Sequence, residues 1–198
     1  MKIVFATHNP NKLREIQALV PSHITLVSLT DIGCTEDIIE DAPTIEGNAI
    51  LKAKYVKDKY GFDCFADDTG LEVNALNGAP GVYSARYAGE QKNALDNMNK
   101  LLIELATKHD RSARFKTVIA FAKTCPELDS GADKIQTFEG ICKGQITREK
   151  LGDGGFGYDP IFQPDGFDAT FAQMAMQLKG KISHRGRAFE KFVDFLGQ

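Results

Sequence analysis

The 198 residues contain no tryptophan, and no run of apolar residues approaches the roughly 20 that a membrane-spanning helix needs. Cysteine is scarce. Cys34, Cys64, Cys125 and Cys142 stand far apart and form no C-x-x-C pair. That spacing argues against a zinc or thioredoxin-like site, and a disulfide framework is not expected in a chain of this size. All four read as reduced thiols, with Cys64 in the core. A basic surplus is also missing: 24 Lys and Arg against 27 Asp and Glu leave a net charge of −3. A protein gripping a nucleic-acid backbone normally carries a basic stripe, so no nucleic-acid partner is expected. A small anion is still compatible, because a few lysines can focus positive potential within a mildly acidic whole. The first residues run directly into Lys2-Ile3-Val4-Phe5-Ala6, too short an apolar stretch for a secretion signal. The expected location is the cytoplasm, with no membrane partner.

What is present is an ordinary globular composition, 42% apolar with 13 phenylalanines, enough for a real core. The length fits a single domain over residues 1–198. Residues 2–6 read as a buried strand. After Pro10, whose fixed φ suits a first helical turn, Leu13, Ile16, Leu19 and Val20 recur at helical spacing until Pro21. A second strand covers 24–29. Thr44 caps a helix to Tyr60 with Ala49, Ala53, Val56 and Tyr60 inward and Gly61 as its stop. Residues 62–66 form a strand that Asp67-Asp68-Thr69-Gly70 interrupts before Leu71-Glu72-Val73 resumes it. Leu95, Met98, Leu102 and Leu105 mark another amphipathic helix. Phe115, Thr117, Ile119 and Phe121 alternate along a long strand, a second covers 134–147, and the turn-rich 126–131 between them predicts an antiparallel hairpin. Ser183 is the expected N-cap of a last helix with Phe189, Phe192, Val193 and Leu196 inward. Such alternation of helices and strands with a hairpin indicates an α/β fold with a mixed sheet.

Several constellations could carry chemistry. Asp67-Asp68 places two carboxylates together after an apolar strand, where each resists burial as an anion. A divalent cation would relieve that cost, and a carboxylate beside it could deprotonate a water. D-D-T-G is equally the composition of a simple turn. Glu40-Asp41 lies in an acidic run from Glu36, which could be a solvated loop or could supply a further metal carboxylate. Thr7, His8, Asn9, Pro10, Asn11 and Lys12 occupy a strand-to-helix turn, a natural place for phosphate. The glycine-rich run Gly152–Gly157 matches G-x-G-x-x-G, but Pro160 opposes the helix that a dinucleotide-binding unit needs. Its better use is to present Phe156 to a flat ring. Lys179, Lys181, His184, Arg185 and Arg187 crowd positive charge at the start of the last helix, against the preference of the dipole there. A bound anion would resolve that conflict; so would plain solvation of a basic patch. Ser183-His184 is not a nucleophile pair, since helical neighbours point about 100° apart.

Taken together, Ala6–Lys12, Asn48–Ala53, Ala66–Leu71, Gly78–Arg86, Gly154–Pro160 and Ile182–Gly186 resemble, in order and over nearly the whole chain, the inosine triphosphate pyrophosphatase family. The resemblance implies an elongated mixed β-sheet with flanking helices, two lobes around a central cleft, and a homodimer. It also implies Mg²⁺-dependent hydrolysis of noncanonical purine nucleoside triphosphates (ITP, dITP, XTP) between the α- and β-phosphates. That reaction keeps such nucleotides out of DNA and RNA. By position, Asp68 matches the family's proton acceptor and a metal ligand, and Glu40 the second ligand. Thr7 to Lys12, Thr69 and Lys179 match substrate-binding positions. Phe156, Gly157, Tyr158 and Asp159 match the base-binding segment, and His184-Arg185 the purine-recognising pair. Lys52, with Lys12 and Lys179, would neutralise the triphosphate. His8 stands where a small residue is common in the family. A non-catalytic nucleotide sensor and a pyrophosphatase for modified pyrimidine nucleotides are the alternatives that a substrate panel separates.

Overall fold

The structure, a computed structural model, describes residues 1–123 and 135–197. Cys125 and the expected 126–131 turn lie outside the described residues. Two compact units share the chain: residues 1–68, 118–139 and 188–198 make one, residues 69–117 and 140–187 the other.

In the first unit, β1 (Lys2–Phe5) pairs in parallel with β2 (Thr25–Ser28) on one side and β3 (Cys64–Val73) on the other. The register sets Phe5 opposite Phe65, and their rings stack 4.6 Å apart with planes 6° from parallel. That separation is close to the spacing of neighbouring strands. Between β1 and β2, α1 (Pro10–Gln17) buries Ile16. Its N-cap is Asn9, whose side chain accepts from the amides of Asn11 and Lys12. The helix ends before Leu19 and Val20, which still pack on the core. The longer α2 (Ile45–Tyr60) begins at the Thr44 cap and stops at left-handed Gly61, as expected. Ile119, Phe121, Phe138, Phe189 and Phe192 close this core around Phe65.

In the second unit, the two-residue β4 (Pro80–Gly81) pairs antiparallel with the end of β3. The next helix, α3 (Ala94–Glu104), buries Met98 and Leu101, with Leu105 at its C-cap, but leaves Leu95 about half exposed. The inner face is therefore rotated from the one that sequence spacing suggests. β5 (Ser112–Ala122) and β6 (Ile135–Ile146) are sheet neighbours. The Ile146 amide donates to the carbonyl of Arg111, so the end of β6 lies beside the start of β5 and the pair runs antiparallel. The expected alternation along β5 fails from Thr117 to Ala122, where every residue is buried. β7 (Phe162–Pro164) pairs antiparallel with β6. The short α4 (Met176–Ile182) was not expected from the sequence. It leads directly into α5 (His184–Leu196), where Ser183 accepts the Gly186 amide as the predicted cap. The sheet order is β2-β1-β3-β5-β6-β7, with β4 on β3. Parallel and antiparallel pairs coexist, which is the mixed α/β sheet that the sequence predicts.

The main correction concerns Asp67-Asp68-Thr69-Gly70. These residues do not interrupt the strand; β3 runs unbroken from Cys64 to Val73. Turn-forming composition yields here to pairing on the sheet, and two carboxylates are left in a strand interior, Asp67 1% and Asp68 8% exposed.

Candidate functional site

The parallel register of β1 and β3 decides what Asp67 and Asp68 can meet. The Ala6 amide donates to the Phe65 carbonyl, so the turn after β1 emerges beside the two aspartates. In that turn the Asn9 amide donates to the Thr7 hydroxyl, and Asn9 Oδ1 takes the amides of Asn11 (2.9 Å) and Lys12 (3.3 Å). Those are two donors that a sequence reading leaves open to an anion. Pro10 and His8 are exposed. Lys12, in the first turn of α1, donates to Asp67 Oδ1 at 2.9 Å and to the Asp67 carbonyl at 3.5 Å.

Asp68 faces α2. Asn48 and Lys52, four residues apart and so on one helical face, are both buried. Asn48 Nδ2 donates to Asp68 Oδ2 at 3.3 Å, and Lys52 Nζ stands 3.7 Å from Asp68 Oδ1 while also donating to Glu40 Oε1. Glu40 and Asp68 thus converge on one ammonium. Asp41, the neighbouring acid in the sequence, is exposed. Burial pushes the Asp68 carboxyl above its ordinary range, and Glu40 and Asp67 add to this; Lys52 and Lys12 pull the other way without cancelling it. Burial also pushes Glu40 up, but Lys52 and then Lys12 outweigh it and hold Glu40 below its usual value. Lys52, desolvated, is nevertheless raised by Asp68, Glu40 and Asp67. One carboxyl of raised proton affinity beside one firmly ionised carboxylate is an arrangement suited to proton transfer.

Asp68 closes the first unit and Thr69 opens the second. In the second, Thr69 and Thr117 share a hydroxyl–hydroxyl hydrogen bond of 2.6 Å, and Arg185 Nη2 donates to Thr69 at 3.1 Å. Arg185 is 2% exposed. His184, equally buried, stacks on Phe115 with centroids 4.4 Å apart. The positive run around Ser183 therefore separates: Lys179, His184 and Arg185 turn inward, while Lys181 and Arg187 are exposed. The glycine-rich loop is followed by a single turn at Asp159–Ile161 and then β7, not by a helix, which disposes of the dinucleotide motif. Asp159 Oδ2 accepts the Phe156 amide (2.7 Å) and the Lys179 ammonium (2.5 Å). Phe156 is half-buried, with Lys179 Nζ 5.0 Å and the Arg185 guanidinium 5.6 Å from its ring. Tyr158 is buried and donates to the Ser84 carbonyl, while Gly157 provides a left-handed turn with φ +63°.

Two participants escaped sequence reasoning. Asn48 lies in the Asn48–Ala53 motif, and the signal for its contact with Asp68 is a polar residue four before Lys52 on an apolar face. Thr117 had no such signal, reading only as one apolar-facing position of a strand.

Residues 3–195 match the Ham1 family model. A dITP/XTP pyrophosphatase of Flavobacterium johnsoniae is 60% identical over 196 residues, covering 99% of this chain and 98% of that protein. One of Christiangramia forsetii is 58% identical over the full length of both. The solved structure of the Staphylococcus aureus Ham1 protein superposes with a TM-score of 0.86 at 38% identity, over 100% of this chain and 98% of the other. With matching sequence along nearly all its length and the same fold, this chain belongs to the Ham1 family.

Proposed function

We propose that the protein is a nucleoside triphosphate pyrophosphatase that hydrolyses noncanonical purine nucleotides (ITP, dITP, XTP) to the monophosphate and pyrophosphate, the whole chain acting as one such enzyme. The names of its relatives support the substrate class. The observation that carries the chemistry is Asp68, a buried carboxyl of raised proton affinity set against two lysines and a second, ionised carboxylate.

Glu40 and Asp68 already share one cation, the Lys52 ammonium, through hard oxygen atoms. Among the described residues no group of three or more His, Cys, Asp or Glu gathers to hold a metal. Two carboxylates nevertheless fit Mg²⁺, which takes one or two and fills its remaining positions with water and phosphate oxygens. We assign Glu40 and Asp68 as the residues that would hold it, and bound there it would screen the triphosphate charge. Lys12 and Lys52 add fixed positive charge for the phosphates. Asp68 accepts the proton of the attacking water as its oxygen bonds to phosphorus. The anhydride bond between the α- and β-phosphates breaks, and pyrophosphate leaves with the bond electrons.

Base selection falls to the second cluster. Phe156 offers a face for stacking, His184 and Arg185 supply donors suited to the 6-keto oxygen of hypoxanthine or xanthine, and Lys179 adds positive charge for the triphosphate. An adenine amino group would leave such donors unsatisfied, at about 1–3 kcal/mol each. Thr7 to Asn11 and Thr69 complete the phosphate and sugar contacts in this reading, and the active species is a homodimer. No helix among the described residues is long and apolar enough to cross a membrane. A panel of ITP, dITP, XTP and ATP with Mg²⁺, read by pyrophosphate release, tests the proposal: the first three should turn over well above the last. Equal rates on all four, or none on any, would refute it.

A further inference from the structure

The acidic run that holds Glu40 has no helix or strand from residue 34 to residue 43. Fixing such a segment costs backbone entropy, so a carboxylate on it needs anchors to keep one position. Glu36 provides an unusual one. A single oxygen, Oε1, accepts from the Tyr55 hydroxyl (2.6 Å), the Lys59 ammonium (2.6 Å) and the Tyr60 hydroxyl (2.7 Å). Lys59 also donates to the Tyr55 oxygen at 2.9 Å and lies 5.3 Å and 5.6 Å from the Tyr55 and Tyr60 rings. Lys59, then Tyr55 and Tyr60, hold the Glu36 carboxyl well below the usual carboxylate range. The Glu36 carbonyl takes His8 Nε2 at 3.0 Å, which ties the acidic run to the turn after β1.

Six residues on, the same run is anchored again. The Ala42 amide donates to Asn48 Oδ1 at 2.9 Å. Gly47 lets the chain pass close: a Cβ there would lie 2.7 Å from the Ala42 methyl. Segment 36–42 is thus held to the last turns of α2 at one end and to its first turns at the other. Glu40 sits between the anchors and meets Lys52 in the middle of the helix. The Glu36–Lys59 pair is largely exposed, so its contribution lies in geometry more than in stability.

We propose that Glu36 is a positioning residue: clamped by Tyr55, Lys59 and Tyr60 and linked to His8, it holds segment 36–42 so that Glu40 is presented to Lys52 and Asp68. The inference rests on the reading of Glu40 and Asp68 as the Mg²⁺ carboxylates.

The test uses the full chain with Glu36→Ala, and Tyr55→Phe/Tyr60→Phe as a second variant that removes two donors but keeps both rings. Thermal unfolding selects the variant that folds. Amide exchange over residues 37–42, measured without metal, should quicken by about tenfold as the anchor is lost. The Mg²⁺ concentration for half-maximal ITP turnover should rise about tenfold, with kcat at saturating Mg²⁺ within about twofold, as for other groups that orient a metal ligand. In a Glu40→Gln background Glu36→Ala should add nothing to the Mg²⁺ requirement. Either readout staying at its wild-type value in a folded variant, or an undiminished effect in the Glu40→Gln background, overturns the proposal. Should wild type lack Mg²⁺-dependent turnover, it is the functional reading that fails, and the exchange result still decides whether Glu36 holds the segment.

Discussion

Replacing Asp68 by Asn should separate activity from stability, because the two depend on its carboxylate with opposite sign. Asp68 is 8% exposed, and its proton affinity is raised chiefly by that burial, so the ionised form is a burden on the fold that Lys52 and Lys12 only partly offset. The asparagine can still accept from Asn48, and Lys52 retains Glu40. Folding stability should therefore change by no more than about 1 kcal/mol, and a gain is as compatible as a small loss. Activity has no such compensation. A general base contributes about 10²- to 10⁴-fold, or about 3–5 kcal/mol of barrier, and asparagine cannot take the proton. The assay pairs pyrophosphate release from ITP at saturating Mg²⁺ with thermal unfolding of the same sample. An intact fold with kcat down at least a hundredfold is expected. Turnover within tenfold of wild type would remove Asp68 as the base, and loss of activity only together with loss of the fold would leave no catalytic role to assign.

Lys52→Met removes the ammonium that Glu40 and Asp68 share, and should cost about 1–3 kcal/mol, mostly from the buried Asp68 because the Glu40 carboxylate is partly solvated, read by chemical denaturation. The same change should move the acid limb of the kcat/KM profile to higher pH, because Lys52 is the largest influence drawing Asp68 downward; an unmoved limb would contradict the coupling. Stability against pH should reflect two opposed carboxyls. Glu40, lowered from 4.5, contributes stability at pH above that value and loses it as the pH falls through its folded value, whereas Asp68, raised from 3.8, becomes a growing burden as the pH rises above 3.8. The Glu40→Gln variant should then lose stability near neutral pH but not at pH 2, and equal losses at both would exclude the pairing. Gly155→Ala should raise KM for ITP by about tenfold or more and destabilise the protein by about 1–3 kcal/mol, since Gly155 has φ +70° and a Cβ would lie 2.1 Å from Asp159 Oδ2. Arg185→Lys should keep the charge but lose the planar fork that reaches Thr69, and the ITP-over-ATP preference should fall about tenfold in a two-substrate competition.

Local rules carried the strand-to-helix opening, the Thr44 and Gly61 limits of α2 and the Ser183 cap, because each depends on neighbours a few residues away. Where tertiary packing overrides local preference, the sequence misleads. Asp67-Asp68-Thr69-Gly70 has turn composition, yet pairing keeps β3 continuous. Leu95 fits the apolar spacing of α3, but the helix keeps Met98 inward and buries Leu101 in place of Leu95. The seven-residue α4 contains Gly180 and is too short for a periodic signal. At the candidate site, the residue types were legible, but their partners were not. Nothing in the spacing of Glu40, Lys52 and Asp68 says that one ammonium joins them, or that Glu36, four residues before Glu40, belongs to an anchor of tyrosines instead. Such pairings arise only once α2 is laid against β3.

In the proposed reaction water enters at the α–β anhydride of a noncanonical purine triphosphate, and the products report this directly. ITP and Mg²⁺ incubated with the protein and followed by ³¹P NMR should give inosine monophosphate and pyrophosphate in equal amounts, with no accumulation of diphosphate. Inosine diphosphate with orthophosphate, or ITP left intact while bound, would contradict the account.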